Sequence, residues 1–259
     1  IRKCKHNFRE AFIYFFCIFT CSDSNINDFF KLKIKIIMQH KILFQPSESL
    51  IHVSLAENEE IQAESGAMVF MSWNMEIETA TKGGVFGALK KSVLGSESFF
   101  TNKFIARKGA GEIGFTAPFP GDIKHFNLQN QNMFIQSGSY VASSTTVNLD
   151  TSWGGAKGLF GGPGLILLKA SGSGDIFVNS FGAMFERQLT NDKFIVDTGH
   201  IVAFTDGLSY EVKKVGSIKS TLFSGEGLVA EFSGTGTLWV QTRNSSTFIS
   251  WIASKLPKS

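Results

Sequence analysis

From Ala67 onward apolar and polar side chains alternate, with Ala67, Val69, Met71, Trp73, Met75 and Ile77 on one parity and Ser72, Asn74, Glu76 and Glu78 on the other. A period of two marks an extended strand with one buried face, because successive side chains point to opposite sides of the backbone. The strand leaves a corner that the chain writes three times: AESGAMV at Ala63–Val69, IQSGSYV at Ile135–Val141 and VDTGHIV at Val196–Val202. With Gly66, Gly138 and Gly199 aligned, Val69, Val141 and Val202 coincide; so do Met75, Val147 and Leu208, then Ile77, Leu149 and Tyr210. An acid or hydroxyl beside glycine is turn chemistry: the side chain bonds nearby backbone N–H groups, and glycine takes a positive φ that a Cβ resists. Each corner glycine is expected to serve that purpose, with Glu64 and Asp197 as turn formers.

A second phrase recurs as GAGEIGF from Gly109, GSGDIFV from Gly172 and GTGTLWV from Gly234, placed 43, 34 and 35 residues after the corner glycine. Two phrases in fixed order predict three copies of one module of short strands and tight turns. The expected organisation is a three-copy β domain over 38–244, with copies at about 50–122, 123–183 and 184–244. The tail then places Phe248, Trp251, Ile252 and Leu256 at helical spacing, predicting an amphipathic helix within 245–259 capped by Ser246 or Thr247.

Residues 1–37 read differently. The apolar run Ala11–Thr20 is half the roughly 20 residues a membrane span needs, and it follows a basic stretch. We expect an extension without a native role, with a start at Met38; a targeting segment is the alternative. Seven of the 25 basic and three of the 22 acidic residues precede Met38, so the body carries 18 against 19, a net of −1. That near-neutral body excludes DNA and disfavours RNA as partners, since phosphate-backbone binding needs excess Lys and Arg. Cys4, Cys17 and Cys21 also lie in the leading segment, leaving the body without disulfide or thiolate chemistry.

Candidate chemistry is thin. GAGEIG fits the dinucleotide pattern, but FTAPFPGD follows it, with two prolines and no helical period to supply free N–H groups. The loop Ser152–Gly164 lacks the Gly-Lys-Ser/Thr ending of a phosphate loop. His6, His40, His52, His125 and His200 form no metal-ligand spacing. No cofactor, metal or catalytic residue is therefore assigned. Should the chain be an enzyme or small-molecule binder with a pocket between copies, His200, Asp197 and Asp206 are the group to test.

Between the two phrases the copies diverge, and the inserts carry apolar residues beside lysines. The first has Phe86, Leu89, Lys90, Lys91, Val93 and Leu94 bracketed by glycines; the second has Trp153, Lys157, Leu159 and Phe160; the third has Lys213, Lys214, Ile218, Lys219 and Phe223. Such a patch suits a partner protein or membrane headgroups.

QAESGAMVFMS at Gln62–Ser72, GSESFFTNKF at Gly95–Phe104, GEIGFTAPFPGDI at Gly111–Ile123 and FIQSGSYVAS at Phe134–Ser143 resemble the "altered inheritance of mitochondria, member twenty-four" family across nearly the whole body. The resemblance implies an all-β fold of three pseudo-symmetric β-sandwich repeats, similar to tryptophan RNA-binding attenuation proteins and of the double-stranded β-helix type, plus a short C-terminal helix. It implies a mitochondrial setting for a eukaryotic member and a cytoplasmic one for a prokaryotic member, with peripheral membrane association, and it carries over no catalytic residue. The expectation is a non-catalytic, homo-oligomeric β-scaffold presenting its inserts to a protein or membrane. A pocket-bearing enzyme or binder is the alternative, and an RNA-binding ring ranks below both.

Overall fold

The computed structural model describes residues 38–79, 101–150, 165–214 and 228–257. Among these, sixteen strands and one helix follow in order: β1 (Gln39–Leu43), β2 (Leu50–Leu55), β3 (Glu60–Glu64), β4 (Met68–Met71), β5 (Met75–Thr79), β6 (Thr101–Ala106) and β7 (Gly111–Phe115). Then come β8 (Ile123–Gln129), β9 (Met133–Gln136), β10 (Tyr140–Ser144), β11 (Val147–Asp150) and β12 (Leu167–Asn179). The third group is β13 (Met184–Asp197), β14 (Ile201–Thr205), β15 (Leu208–Lys214), β16 (Leu228–Gln241) and the helix α1 (Ser245–Ala253). The all-β class holds, with pairing among the named strands antiparallel throughout.

The three corners share one register. The strand leaving each corner pairs with the strand carrying the second phrase: Met68 faces Phe115, Tyr140 faces Val178 and Ile201 faces Val240, each followed by a one-residue shift. A bulge at one place in three strands points to one local solution used three times. Neighbouring groups are stitched by β10 on β3, with Ala142 opposite Ala63 and Ser143 opposite Gln62, and by β14 on β9, with Ala203 opposite Ile135 and Phe204 opposite Phe134. The result is a four-stranded sheet, β1-β2-β7-β4, and a twelve-stranded sheet with β13 at one end.

Each group has its own apolar core, and the first two take residues from the group that follows. Val141, Ala142 and Phe177 complete the first core. Val202, Ala203 and Trp239 complete the second. The third is built from Phe204, Phe232, Leu238 and their neighbours, with Phe134 stacked on Phe204 at 5.0 Å. The seam between the first two groups is polar instead: Gln62 Nε2 donates to Ser143 Oγ (3.0 Å) and to the Val147 carbonyl (2.8 Å), and the Tyr140 hydroxyl donates to the Gln62 carbonyl (3.3 Å).

Three expectations are corrected. The alternating run after Ala67 is two strands around a turn, so its parity breaks: the Met75 N–H bonds the Ser72 carbonyl, Trp73 is 85% exposed, and Asn74 turns inward. The Asn74 amide donates to the carbonyls of Lys108, Gly109 and Ala110 at 2.9–3.2 Å, which is why a polar residue can be buried there. Of the corner glycines only Gly66 has a positive φ (+90°); Gly138 and Gly199 sit in single 3-10 turns, Ser137–Ser139 and Thr198–His200. The positive φ recurs at the second phrase, at Gly109, Gly172 and Gly234 (+91°, +106° and +119°). Finally, α1 is capped by Asn244, whose Oδ1 accepts from the N–H groups of Ser246 and Thr247.

Candidate functional site

Two regions of the fold could carry function. The first is the set of hairpin tips from which the inserts leave. β5 pairs with β6 from Met75–Ala106 to Thr79–Asn102, β11 with β12 from Val147–Gly172 to Asp150–Lys169, and β15 with β16 from Leu208–Gly234 to Lys214–Leu228. Each insert departs from the end of a hairpin in the same place in its group. Phe86, Leu89, Lys90, Lys91, Val93, Leu94, Trp153, Lys157, Leu159, Phe160, Ile218, Lys219 and Phe223 lie outside the described residues. Lys213 lies in β15, not in a loop, where it pairs with Glu211 (3.2 Å) and Glu231 (3.1 Å). Hydrogen bonds from Lys213 and then Lys193 hold the Glu231 carboxyl below its ordinary range, so Lys213 is already engaged.

The second region is a cluster that sequence spacing could not show. Asp175 on β12 is almost fully buried, opposite Asn127 on β8 and two pairs away from His125, which lies opposite Phe177. His125 Nε2 and Asn127 Nδ2 both reach Asp175 Oδ1 at 2.8 Å. The Asp175 N–H donates to Ser144 Oγ (3.0 Å). His40 on β1 lies with its ring 4.2 Å from that of His125 and edge-on to Phe177 at 4.9 Å, while its Nδ1 is 3.0 Å from the Met38 carbonyl. Burial alone would raise the Asp175 carboxyl, but the bonds from His125 and Asn127, with the charges of His125 and His40, together hold it below the ordinary carboxylate range. A buried carboxylate gripping an imidazole can fix a tautomer or hold a proton. Among the described residues the cluster holds β1, β8 and β12 together, and no group of three or more His, Cys, Asp or Glu side chains is arranged to hold a metal ion.

His200, Asp197 and Asp206 are not brought together. His200 Nδ1 lies 2.7 Å from the Gln241 carbonyl, Asp197 Oδ1 accepts from the Gly199 N–H (2.8 Å), and Asp206 accepts from Asn132 (2.7 Å). Each is committed to a different structural bond. Apolar surface is concentrated elsewhere: Met68, Val69 and Phe70 on β4, and Phe248, Ile249, Trp251 and Ile252 on α1, are exposed. Among the described residues no helix is long and apolar enough to cross a membrane.

Comparison with known proteins adds the following. The family model described as mitochondrial biogenesis AIM24 matches residues 40–243. An uncharacterised protein of Streptococcus pyogenes serotype M6 is 26% identical over 219 residues, covering 81% of this chain and 88% of its own. A crystal structure of a Streptococcus pyogenes protein superposes with a TM-score of 0.71 at 23% identity, over 85% of this chain and all of that one; the likeness is one of fold.

Proposed function

The chain belongs to the mitochondrial biogenesis AIM24 family, and from that premise we propose that it is a non-catalytic, self-associating β-scaffold that presents its three inserts to a protein partner or a membrane surface. The observation that carries this reading is the shared departure point of the inserts from equivalent hairpins, β5–β6, β11–β12 and β15–β16. A rigid module that projects three variable segments from corresponding tips is suited to display, because loops on a fixed frame carry recognition while the frame carries stability. The exposed apolar faces of β4 and α1 support association further. On this reading a bacterial member works in the cytoplasm and a mitochondrial member inside the organelle, each meeting the membrane at its periphery.

The test is sedimentation of the full chain, and of the same chain lacking Gly83–Gly95, with phosphatidylcholine vesicles containing an anionic phospholipid. Loss of the lysine-bearing first insert should lower the bound fraction several-fold while the circular dichroism spectrum is retained. Equal binding by the two would reject display by that insert.

A further inference from the structure

Resting on that self-association, we infer that copies of this chain join head to tail, β4 of one copy adding to the outer edge of the Asp192–Asp197 half of β13 in the next. The chain already makes this junction twice. In both, the residue four places after a corner glycine lies opposite the residue three places before the preceding one: Ala142 opposite Ala63, and Ala203 opposite Ile135. A third junction of the same kind would pair β4 with β13, yet among the described strands of one chain each ends its own sheet. Unpaired edges of this length are templates for another strand.

Side-chain exposure locates the vacancy. Val69, Val141 and Val202 are the same residue at the same place in the three groups; Val141 and Val202 are 1% and 0% exposed, whereas Val69 is 53% exposed. On the receiving side, Gln62 and Phe134 are 6% and 4% exposed, but Ile195, at the corresponding position, is 60% exposed. The cores agree. Val141 and Ala142 complete the first core and Val202 and Ala203 the second, while their counterparts Val69 and Phe70 belong to none of the three cores among the described residues. Continuing the register sets Phe70 opposite Val196, Met71 opposite Ile195 and Ser72 opposite Phe194. The joined surfaces differ, so the contact is heterologous and propagates as a ring or an open chain.

A cross-strand disulfide tests the register. The full chain, with Cys4, Cys17 and Cys21 replaced by serine, carries Met71→Cys and Ile195→Cys together or singly. Directly opposed antiparallel residues lie about 4.5–5.5 Å apart at Cα, within disulfide range. Mild oxidation should give a ladder of covalent dimers and higher species on a non-reducing gel, lost with reductant, from the double variant alone. Ile195→Lys, at an exposed site that leaves the fold intact, should reduce the native mass to that of one chain. A cross-link confined within single chains, or no ladder and no mass change in an assembling protein, overturns this junction and leaves self-association standing. A wild-type chain that stays monomeric at every concentration removes both.

Discussion

Replacing each corner glycine by alanine should give three different results, because one phrase sits in three surroundings. Gly66 has φ +90° and open space around its Cα, so the cost at Gly66→Ala is purely one of backbone conformation, about 1–2 kcal/mol. Gly138 lies in a 3-10 turn, where the atoms nearest an added Cβ all belong to the Gln136 side chain, with Oε1 at 3.2 Å. That side chain can move, and the change should stay within about 0.5 kcal/mol. At Gly199 a Cβ would lie 2.7 Å from Asn244 Cγ, and Asn244 is the cap of α1. To make room the amide must leave the Ser246 and Thr247 N–H groups, which costs about 1 kcal/mol of helix stability. Because α1 buries none of its residues, that loss should stay local. Urea unfolding should therefore show a lowered midpoint, with unchanged slope, for Gly66→Ala only, whereas amide exchange along Ser245–Ala253 should accelerate about five-fold for Gly199→Ala only. Equal midpoint losses at all three, or unperturbed exchange in Gly199→Ala, would refute the reasoning.

Val→Ala at Val141 and Val202 should each cost about 2 kcal/mol in urea unfolding, from roughly 0.8 kcal/mol per buried methyl plus the residual void; at low protein concentration Val69→Ala should cost less than 0.5 kcal/mol. Asp175→Asn should lose about 2 kcal/mol at neutral pH through its charge-assisted bonds. Its pH dependence has a definite sign. The folded state holds the Asp175 carboxyl below its ordinary range, so this contribution is full above the unfolded carboxylate value near ~4 and is lost as pH falls through the folded one. The gap between wild type and variant in thermal unfolding should accordingly persist from neutral pH down to that value and close only in more acid solution.

The class of fold was legible because its signals are local. Corner, strand and second phrase each span fewer than ten residues, and their order survives in every group. What was not legible depends on partners distant in sequence. His125 and Asp175 meet across 50 residues because β8 and β12 pair in one register, and His40 joins them from β1. The exposure of Val69 reflects a neighbour that its own strand lacks, although its letter and place match those of Val141 and Val202. The turn at Ser72–Met75 left a trace, since asparagine favours turns, but period-two counting through Met75 concealed it. Asn244 was likewise as good a cap candidate as Ser246 and a better one than Thr247, and its reach to Gly199 follows only from the third corner's position.

The two seams use one register but opposite chemistry: an amide, a hydroxyl and a phenol where Gln62 meets Ser143, and two stacked rings where Phe134 meets Phe204. Exchange of partners during folding would set Phe204 against Gln62, burying an amide without its acceptors, and Ser143 against Phe134, leaving a hollow beside the ring. Modules this alike are prone to misassembly. The mismatch sorts them, so the choice of which edge joins which is enforced as a lock-and-key code between otherwise interchangeable parts.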